Sequence, residues 1–280
     1  MPPAHPHRLL IVDDDPSIHE LIRAMLGGTD WEGDSAASGE EALTRLETHT
    51  YDVLIADILM PGMDGLTLLG QLRIRHPNLP VVMMTVRNTP EHIIGSLGRE
   101  AASYLSKPFS RDSLLLTIRS ALSTSVNDDD VKILSDKPEW ISLEVRCRLT
   151  AADRLVQFIR ELPNDLEPDQ REQIAMAFRE LLINAIEHGG HLDPEKRVAL
   201  SYIRTARSIV YYIRDPGEGF SMDSLAHAAV STPDDPVRHI KLRNQMGIRP
   251  GGFGMLMTKN FADELMYSRK GNEVIFIKYL

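Results

Sequence analysis

Between residues 8 and about 122, short apolar runs alternate with helix-patterned segments, and four of the runs stop at chemically useful polar residues. Arg8–Val12 ends at Asp13-Asp14-Asp15, and Pro16 stands at the first turn of a helix reaching about Leu26. Tyr51–Ala56 ends at Asp57, Val81–Met84 at Thr85, and Ser103–Ser106 at Lys107-Pro108, with a weaker strand near Glu32–Ala36. Helical patterns fill the gaps near 39–48, 65–76, 90–99 and 111–122. Strands alternating with helices predict an α/β fold, a doubly wound parallel five-stranded sheet. Ligands of such sheets bind beyond the carboxyl ends of the strands. Asp13, Asp14, Asp57, Thr85 and Lys107 are therefore expected at one rim. Three carboxylates there repel one another without a cation. Mg²⁺ takes oxygen ligands and keeps positions for water and phosphate, and a hydroxyl with an ammonium can hold phosphoryl oxygens. Taken alone, Asp13–Asp15 reads better as a helix N-cap with a solvated acidic turn. The five residues together favour metal and phosphoryl binding.

Leu9-Leu-Ile-Val-Asp-Asp-Asp-Pro16, Asp57-Ile-Leu-Met-Pro-Gly-Met-Asp-Gly65, Met84-Thr85 and Tyr104-Leu-Ser-Lys-Pro-Phe109 resemble two-component receiver domains, over roughly residues 7–122. The resemblance implies that Asp57 is the phosphoacceptor, with a sensor histidine kinase as phosphodonor. It implies that Asp13 and Asp14 hold Mg²⁺ beside Asp57, that Thr85 and Lys107 bind the phosphoryl group, and that Tyr104 is an aromatic switch. Two positions depart from that pattern: Glu100 occupies a place usually taken by glycine, and Val86 follows Thr85 where a smaller residue is common, which narrows access to Asp57. Leu59, two residues beyond Asp57, is bulky and apolar. Slow hydrolysis of the phospho-aspartate is the expectation from Leu59.

At 280 residues the chain exceeds the size at which one core usually stops growing. Ser123–Lys137 is polar, acidic in its middle and followed by Pro138. It reads as a linker between a domain at 1–122 and a second at 138–280. In the second half, Trp140–Leu149 alternates as a half-buried strand, Thr150–Glu161 reads as a helix capped by Thr150, and Pro168–His188 as a longer helix. Strands are expected at Val198–Arg204 and Ile209–Arg214. A helix from Gly254 to about Phe261 then precedes strands near Glu264–Arg269 and Glu273–Tyr279. Residues 221–250 read as a lid.

Three segments there carry chemistry: Glu180-Leu-Leu-Ile-Asn184-Ala-Ile-Glu187-His188, Asp215-Pro-Gly217-Glu-Gly219 and Gly251-Gly252-Phe253-Gly254. Glu180 and Asn184, four apart, share a helical face. An Asp-x-Gly-x-Gly loop offers a carboxylate acceptor on a flexible backbone, and bare glycine amides approach phosphates closely. An oxygen ligand for Mg²⁺ beside a proton-accepting carboxylate suits phosphoryl transfer to a hydroxyl. The polar line Glu180, Asn184, His188 is as readily plain helix surface, and His188 a local cap; the two glycine loops tip the balance.

In this order the segments resemble the ATPase/kinase superfamily that includes gyrase, chaperones and histidine kinases, and within it the anti-sigma-factor serine kinases, over about 140–280. The resemblance implies an α/β two-layer sandwich that binds ATP and Mg²⁺. It implies Asn184 as Mg²⁺ ligand, Glu180 as general base, Asp215 as acceptor for the adenine amino group, and Gly217, Gly219, Gly252 and Gly254 as shapers of the nucleotide loops. The implied partners are an anti-sigma-factor antagonist and, as a further target, a sigma factor; a homodimer stays open. A histidine-kinase hairpin has no room here, and no histidine occurs from residue 93 to 187. The non-enzymatic alternative is a nucleotide-dependent binding switch that sequesters its partner. A net charge of −9 argues against nucleic acid. The absence of a spanning apolar run argues against a membrane. A single cysteine, Cys147, is read as a strand residue and fits a reducing cytoplasm.

Overall fold

The structure, a computed structural model, describes residues 6–86, 89–123, 130–162, 166–219 and 254–280, with the backbone only at 254–257. The chain divides into two compact units, Met1–Asp128 and Asp129–Leu280.

The first unit is a five-stranded sheet in the order β2-β1-β3-β4-β5, all neighbours parallel. Its strands are β1 (His7–Val12), β2 (Trp31–Ala36), β3 (Val53–Asp57), β4 (Val81–Thr85) and β5 (Ser103–Ser106). Helices α1 (Pro16–Leu26), α2 (Gly39–Thr48), α3 (Gly65–Arg75), α4 (Pro90–Gly98) and α5 (Arg111–Ser123) alternate with them. A parallel sheet covered on both faces needs strands apolar on both sides. Leu9–Val12, Val53–Ala56 and Val81–Met84 are accordingly buried without alternation. The helices start where the sequence supplies side-chain caps: Asp15, Ser38, Asp64 and Thr89 each accept a backbone N–H of the first turn. Strand β3 begins two residues later than its apolar run. Tyr51 is drawn aside, its hydroxyl donating to Asp34 at 3.0 Å, and Asp52 accepts the Arg8 amide at 2.7 Å.

The second unit is a six-stranded antiparallel sheet in the order β10-β11-β9-β8-β7-β6. The strands are β6 (Val131–Lys137), β7 (Trp140–Arg146), β8 (Arg197–Arg204), β9 (Ser208–Arg214), β10 (Glu264–Tyr267) and β11 (Glu273–Tyr279). Helices α6 (Leu149–Glu161), α7 (Pro168–Asn184) and α8 (Gly254–Phe261) complete it. Alternate residues of the central strands are buried, among them Leu143, Leu200, Tyr211 and Phe276, together with Leu155, Phe158 and Phe178 of the helices. Tyr211 is at the centre of this layer, with ring centroids 5.3 Å from Phe178, 5.4 Å from Tyr202 and 5.9 Å from Phe276.

Three further sequence expectations change in the second unit. Residues 131–137, expected in the linker, form β6: Val131 and Ile133 pair opposite Val145 and Leu143, and a turn at Pro138-Glu139 leads back into β7. Lys132, Asp136 and Lys137 gave the stretch a linker's polarity, and charged residues are also what an edge strand carries. Thr150 does not cap α6: the helix begins at Leu149, with Arg148 at the cap position and no side-chain hydrogen bond. The long helix is regular only to Asn184, then loosens into a π turn over Ala185–Gly189. No described helix is long and apolar enough to cross a membrane. The expected lid at 221–250 lies outside the described residues.

Candidate functional site

The carboxyl ends of β1, β3, β4 and β5 bring the expected polar residues of the first unit to one rim. Asp13 and Asp57 are buried at 1% and 5% exposure, Thr85 and Tyr104 are buried, and Asp14 is exposed. Lys107 Nζ donates to Asp13 Oδ2 at 2.6 Å and lies 2.9 Å from Asp57 Oδ1. The second contact is an ion pair only, because Asp57 Oδ1 is buried with no aligned hydrogen bond. The remaining oxygens are fixed by the backbone: Asp15 N donates to Asp13 Oδ1 at 2.9 Å and Leu59 N to Asp57 Oδ2 at 3.0 Å. Lys107 N donates to Thr85 O at 2.9 Å, which ties the fourth and fifth strand ends together.

Burial pushes the Asp57 carboxyl above the usual carboxylate range; Lys107 pulls it down through its hydrogen-bonding group and charge, Asp13 pushes it up, and the Leu59 amide pulls it down. Burial acts to lower the Lys107 ammonium, but Asp13 and Asp57 outweigh it, and its pKa is raised. Gly65 explains how α3 starts so close to the phosphoacceptor strand. A Cβ there would fall 2.1 Å from Asp57 O, so only glycine fits. Glu100 sits in the left-handed region at φ 62°, the conformation that favours glycine at this position. Leu59 and Val86 are 40% and 64% exposed.

These residues suit Mg²⁺. Asp57 Oδ1 is a buried carboxylate oxygen lacking a hydrogen bond, and Asp14, next to Asp13 in sequence, is exposed. Among the described residues no group of three or more histidine, cysteine or acidic side chains is placed to hold a metal ion by itself. Mg²⁺ usually needs only one or two carboxylates, with waters and phosphate supplying the rest.

In the second unit, Glu180 and Asn184 are half-buried on the last turns of α7. The π turn that follows ends against the loop after β9. A Cβ on Gly189 would fall 2.2 Å from Asp215 Cγ, and one on Gly217 would fall 2.9 Å from Gly189 Cα. The geometry of this contact depends on two bare glycines meeting around one carboxylate. Asp215 Oδ1 accepts Gly217 N at 2.8 Å, and Asp215 N donates to Asn272 O at 3.0 Å. Burial raises the Asp215 carboxyl, opposed by the Gly217 amide and then by the Lys270 ammonium. Gly219 is in the left-handed region at φ 84°. Gly254 opens α8, and Gly252 lies outside the described residues.

The structure adds residues that the motifs did not single out. Gly189 and Gly190 close the helix end: a Cβ on Gly190 would fall 2.2 Å from Cys147 Sγ. Cys147, one residue past β7 rather than within it, is buried there with its thiol pushed up to about 11 by burial. The Gly-Gly pair directly after His188 was the visible signal. Lys270 and Asn272, in the turn between β10 and β11, contact the Asp215 loop from 53 and 57 residues away, and no local pattern reports such a pairing.

Residues 9–119 match the family model for the response regulator receiver domain, and residues 145–278 that for the histidine kinase-like ATPase domain. The chain is 42% identical over 113 residues to the DNA-binding transcriptional regulator NtrC of Klebsiella pneumoniae, covering 40% of this chain and 24% of that protein. It is 34% identical over 154 residues to the response regulator MprA of Mycobacterium avium, covering 55% of this chain and 68% of that protein. The receiver domain of the Francisella response regulator 1452 is 33% identical, covers 41% of this chain and 96% of that chain, and superposes with a TM-score of 0.39. The chain thus spans about a quarter of the length of the NtrC relatives it matches.

Proposed function

This chain belongs to the response regulators, with a receiver domain followed by a histidine kinase-like ATPase domain, and from that premise we propose that phosphorylation of Asp57 controls an ATP-dependent serine/threonine kinase of the anti-sigma-factor type. The phosphodonor is a sensor histidine kinase, and the kinase substrate is a hydroxyl of an anti-sigma-factor antagonist in a partner-switching pathway. The observation that carries the proposal is the meeting of Gly189 with Asp215 and Gly217. It sets the end of the Glu180–Asn184 helix against the loop that would hold adenine.

In the receiver, Asp57 reacts as its carboxylate, attacking the donor's phosphorus while the donor's bond to phosphorus breaks. Lys107 helps keep Asp57 ionised against the effect of burial and then faces the added phosphoryl oxygens together with Thr85. Asp13 and Asp14 would hold Mg²⁺, which supplies positive charge for the phosphoryl oxygens. Tyr104 would report the change of state through its orientation.

In the ATPase domain, Asp215 would accept the adenine amino N–H, and the amides around Gly217, Gly219, Gly252 and Gly254 would follow the nucleotide. Asn184 would supply a Mg²⁺ ligand. Glu180 would accept the proton of the substrate hydroxyl as that oxygen bonds to the γ-phosphorus and the bond to ADP breaks. The test is mass spectrometry of a purified antagonist domain incubated with the full chain, ATP and Mg²⁺. Phosphoserine or phosphothreonine on the antagonist is expected. Tight ATP-dependent binding without phosphate transfer would instead assign the chain as a nucleotide-dependent binding switch.

A further inference from the structure

The turn between β10 and β11 grips the Asp215 loop at several points. Besides the Asp215 N to Asn272 O bond, the Asn272 side chain donates to Asp215 O at 3.5 Å. Lys270 Nζ donates to Gly217 O at 3.2 Å. Gly219 lies against the Lys270 carbonyl so closely that a Cβ would fall 1.8 Å from it. The turn itself is fixed by Ser268 N to Glu273 O at 3.0 Å and Gly271 N to Ser268 O at 2.9 Å. Lys270 is exposed, and an exposed lysine ordinarily keeps its ammonium in water. Here the ammonium ends on a carbonyl of the loop, two residues from the carboxylate.

We propose that Lys270 is a positioning residue of the nucleotide site, whose ammonium fixes the Gly217 carbonyl and keeps Asp215 an anionic acceptor selective for a 6-amino purine over a 6-oxo purine. The inference rests on the assignment of Asp215 to adenine made above. A carboxylate accepts from a 6-amino group but meets a 6-oxo group as acceptor against acceptor. A protonated Asp215 would donate to the 6-oxo oxygen, and selectivity would fall. Burial favours that protonated form, and Lys270 is the cation that opposes it among the described residues. Among the described residues the Cys147 thiol also feels the Asp215 charge, and it is neutral at physiological pH with its pKa at about 11. Gly189, packed on the same carboxylate, carries no side chain.

The experiment is calorimetry of the full chain with ATP and with inosine triphosphate, each with Mg²⁺, across pH, for wild type, Lys270→Met and Lys270→Arg. Wild type should prefer ATP. Lys270→Met should lose about three- to tenfold of that preference, and its ATP affinity should fall off at a higher pH, because Asp215 protonates more readily. Lys270→Arg should restore both. If wild type is selective and Lys270→Met keeps the same preference and pH profile, the proposal is overturned. Equal losses in the Met and Arg variants also overturn it, since packing and not the cation would then matter. If wild type does not distinguish the two nucleotides, the adenine role of Asp215 fails, and this proposal with it.

Discussion

Lys107 Nζ stands 2.9 Å from Asp57 Oδ1, with only 11% and 8% of the two side chains exposed. The ammonium opposes the effect of burial on the carboxyl without cancelling it, so Asp57 remains harder to ionise than a free aspartate. Asp13, paired with the same ammonium at 2.6 Å, completes a charged group that is short of one cation. A phosphoryl group with Mg²⁺ would meet that need.

A raised carboxyl in the folded state means that the native form binds the proton more tightly than the unfolded chain does. Stability contributed by the protonated form is therefore present at low pH and lost as pH rises from the usual aspartate range through the folded pKa. Asp57→Asn should accordingly raise stability at pH 7, by about 0.5–2 kcal/mol, and the gain should shrink as pH falls and Asp57 itself becomes neutral. Urea denaturation at several pH values checks this. The same variant should take up no phosphate from acetyl phosphate in Mg²⁺. Acid-stable label persisting on it would place the phosphoacceptor elsewhere.

Asp215→Asn should weaken ATP binding roughly tenfold or more, because a hydrogen bond to a charged acceptor contributes about 1.5–3 kcal/mol. Gly189→Ala should be worse, since its Cβ would fall 2.2 Å from Asp215 Cγ. Both variants should still accept phosphate at Asp57. Calorimetry with ATP alongside acetyl phosphate labelling separates the two units, and an unchanged ATP affinity in Gly189→Ala would contradict the packing described here.

Glu180→Gln should bind ATP as wild type does and lose about 10²–10⁴ in transfer rate, the usual contribution of a general base. Single-turnover transfer to the antagonist, measured beside ATP affinity, distinguishes this from a binding defect. Equal loss of binding and transfer would make Glu180 a nucleotide ligand rather than a base.

Glu100 holds φ 62° without being glycine. A side chain in that region costs roughly 1–2 kcal/mol, while glycine adds entropy to the unfolded chain. Glu100→Gly should therefore stabilise the receiver by about 0.5–1 kcal/mol in thermal or urea unfolding. A destabilised variant would mean that the electrostatic contribution of Glu100 to Arg73 outweighs the backbone strain.

The receiver was legible because its strands are buried on both faces. Leu9–Val12 and Val81–Met84 read as unbroken apolar runs, and each ends where the rim residue begins. The second unit was less so. Its edge strand β6 carries Lys132, Asp136 and Lys137, and polarity that protects an edge is indistinguishable in sequence from polarity that marks a linker. Most of the π turn, up to His188, reads in sequence as regular helix because its apolar residues Ala185 and Ile186 continue the helical stripe. Motif glycines announced a loop at Asp215. That Gly189, Lys270 and Asn272 would converge on it depends on which strands pair, and spacing along the chain does not encode that.

Control of the kinase by the receiver is the central claim, and its most direct measurement is the rate of phosphate transfer from ATP to the antagonist by the full chain, with and without acetyl phosphate, using Asp57→Ala as the control. Coupling between sites is commonly on the order of 1–3 kcal/mol. At subsaturating antagonist, phosphorylation of Asp57 should thus change the transfer rate by roughly 5–150-fold through antagonist affinity, or alter turnover, with no change in Asp57→Ala. Label on the antagonist at the same rate in all three samples would contradict control by Asp57, and no label in any of them would contradict the kinase itself.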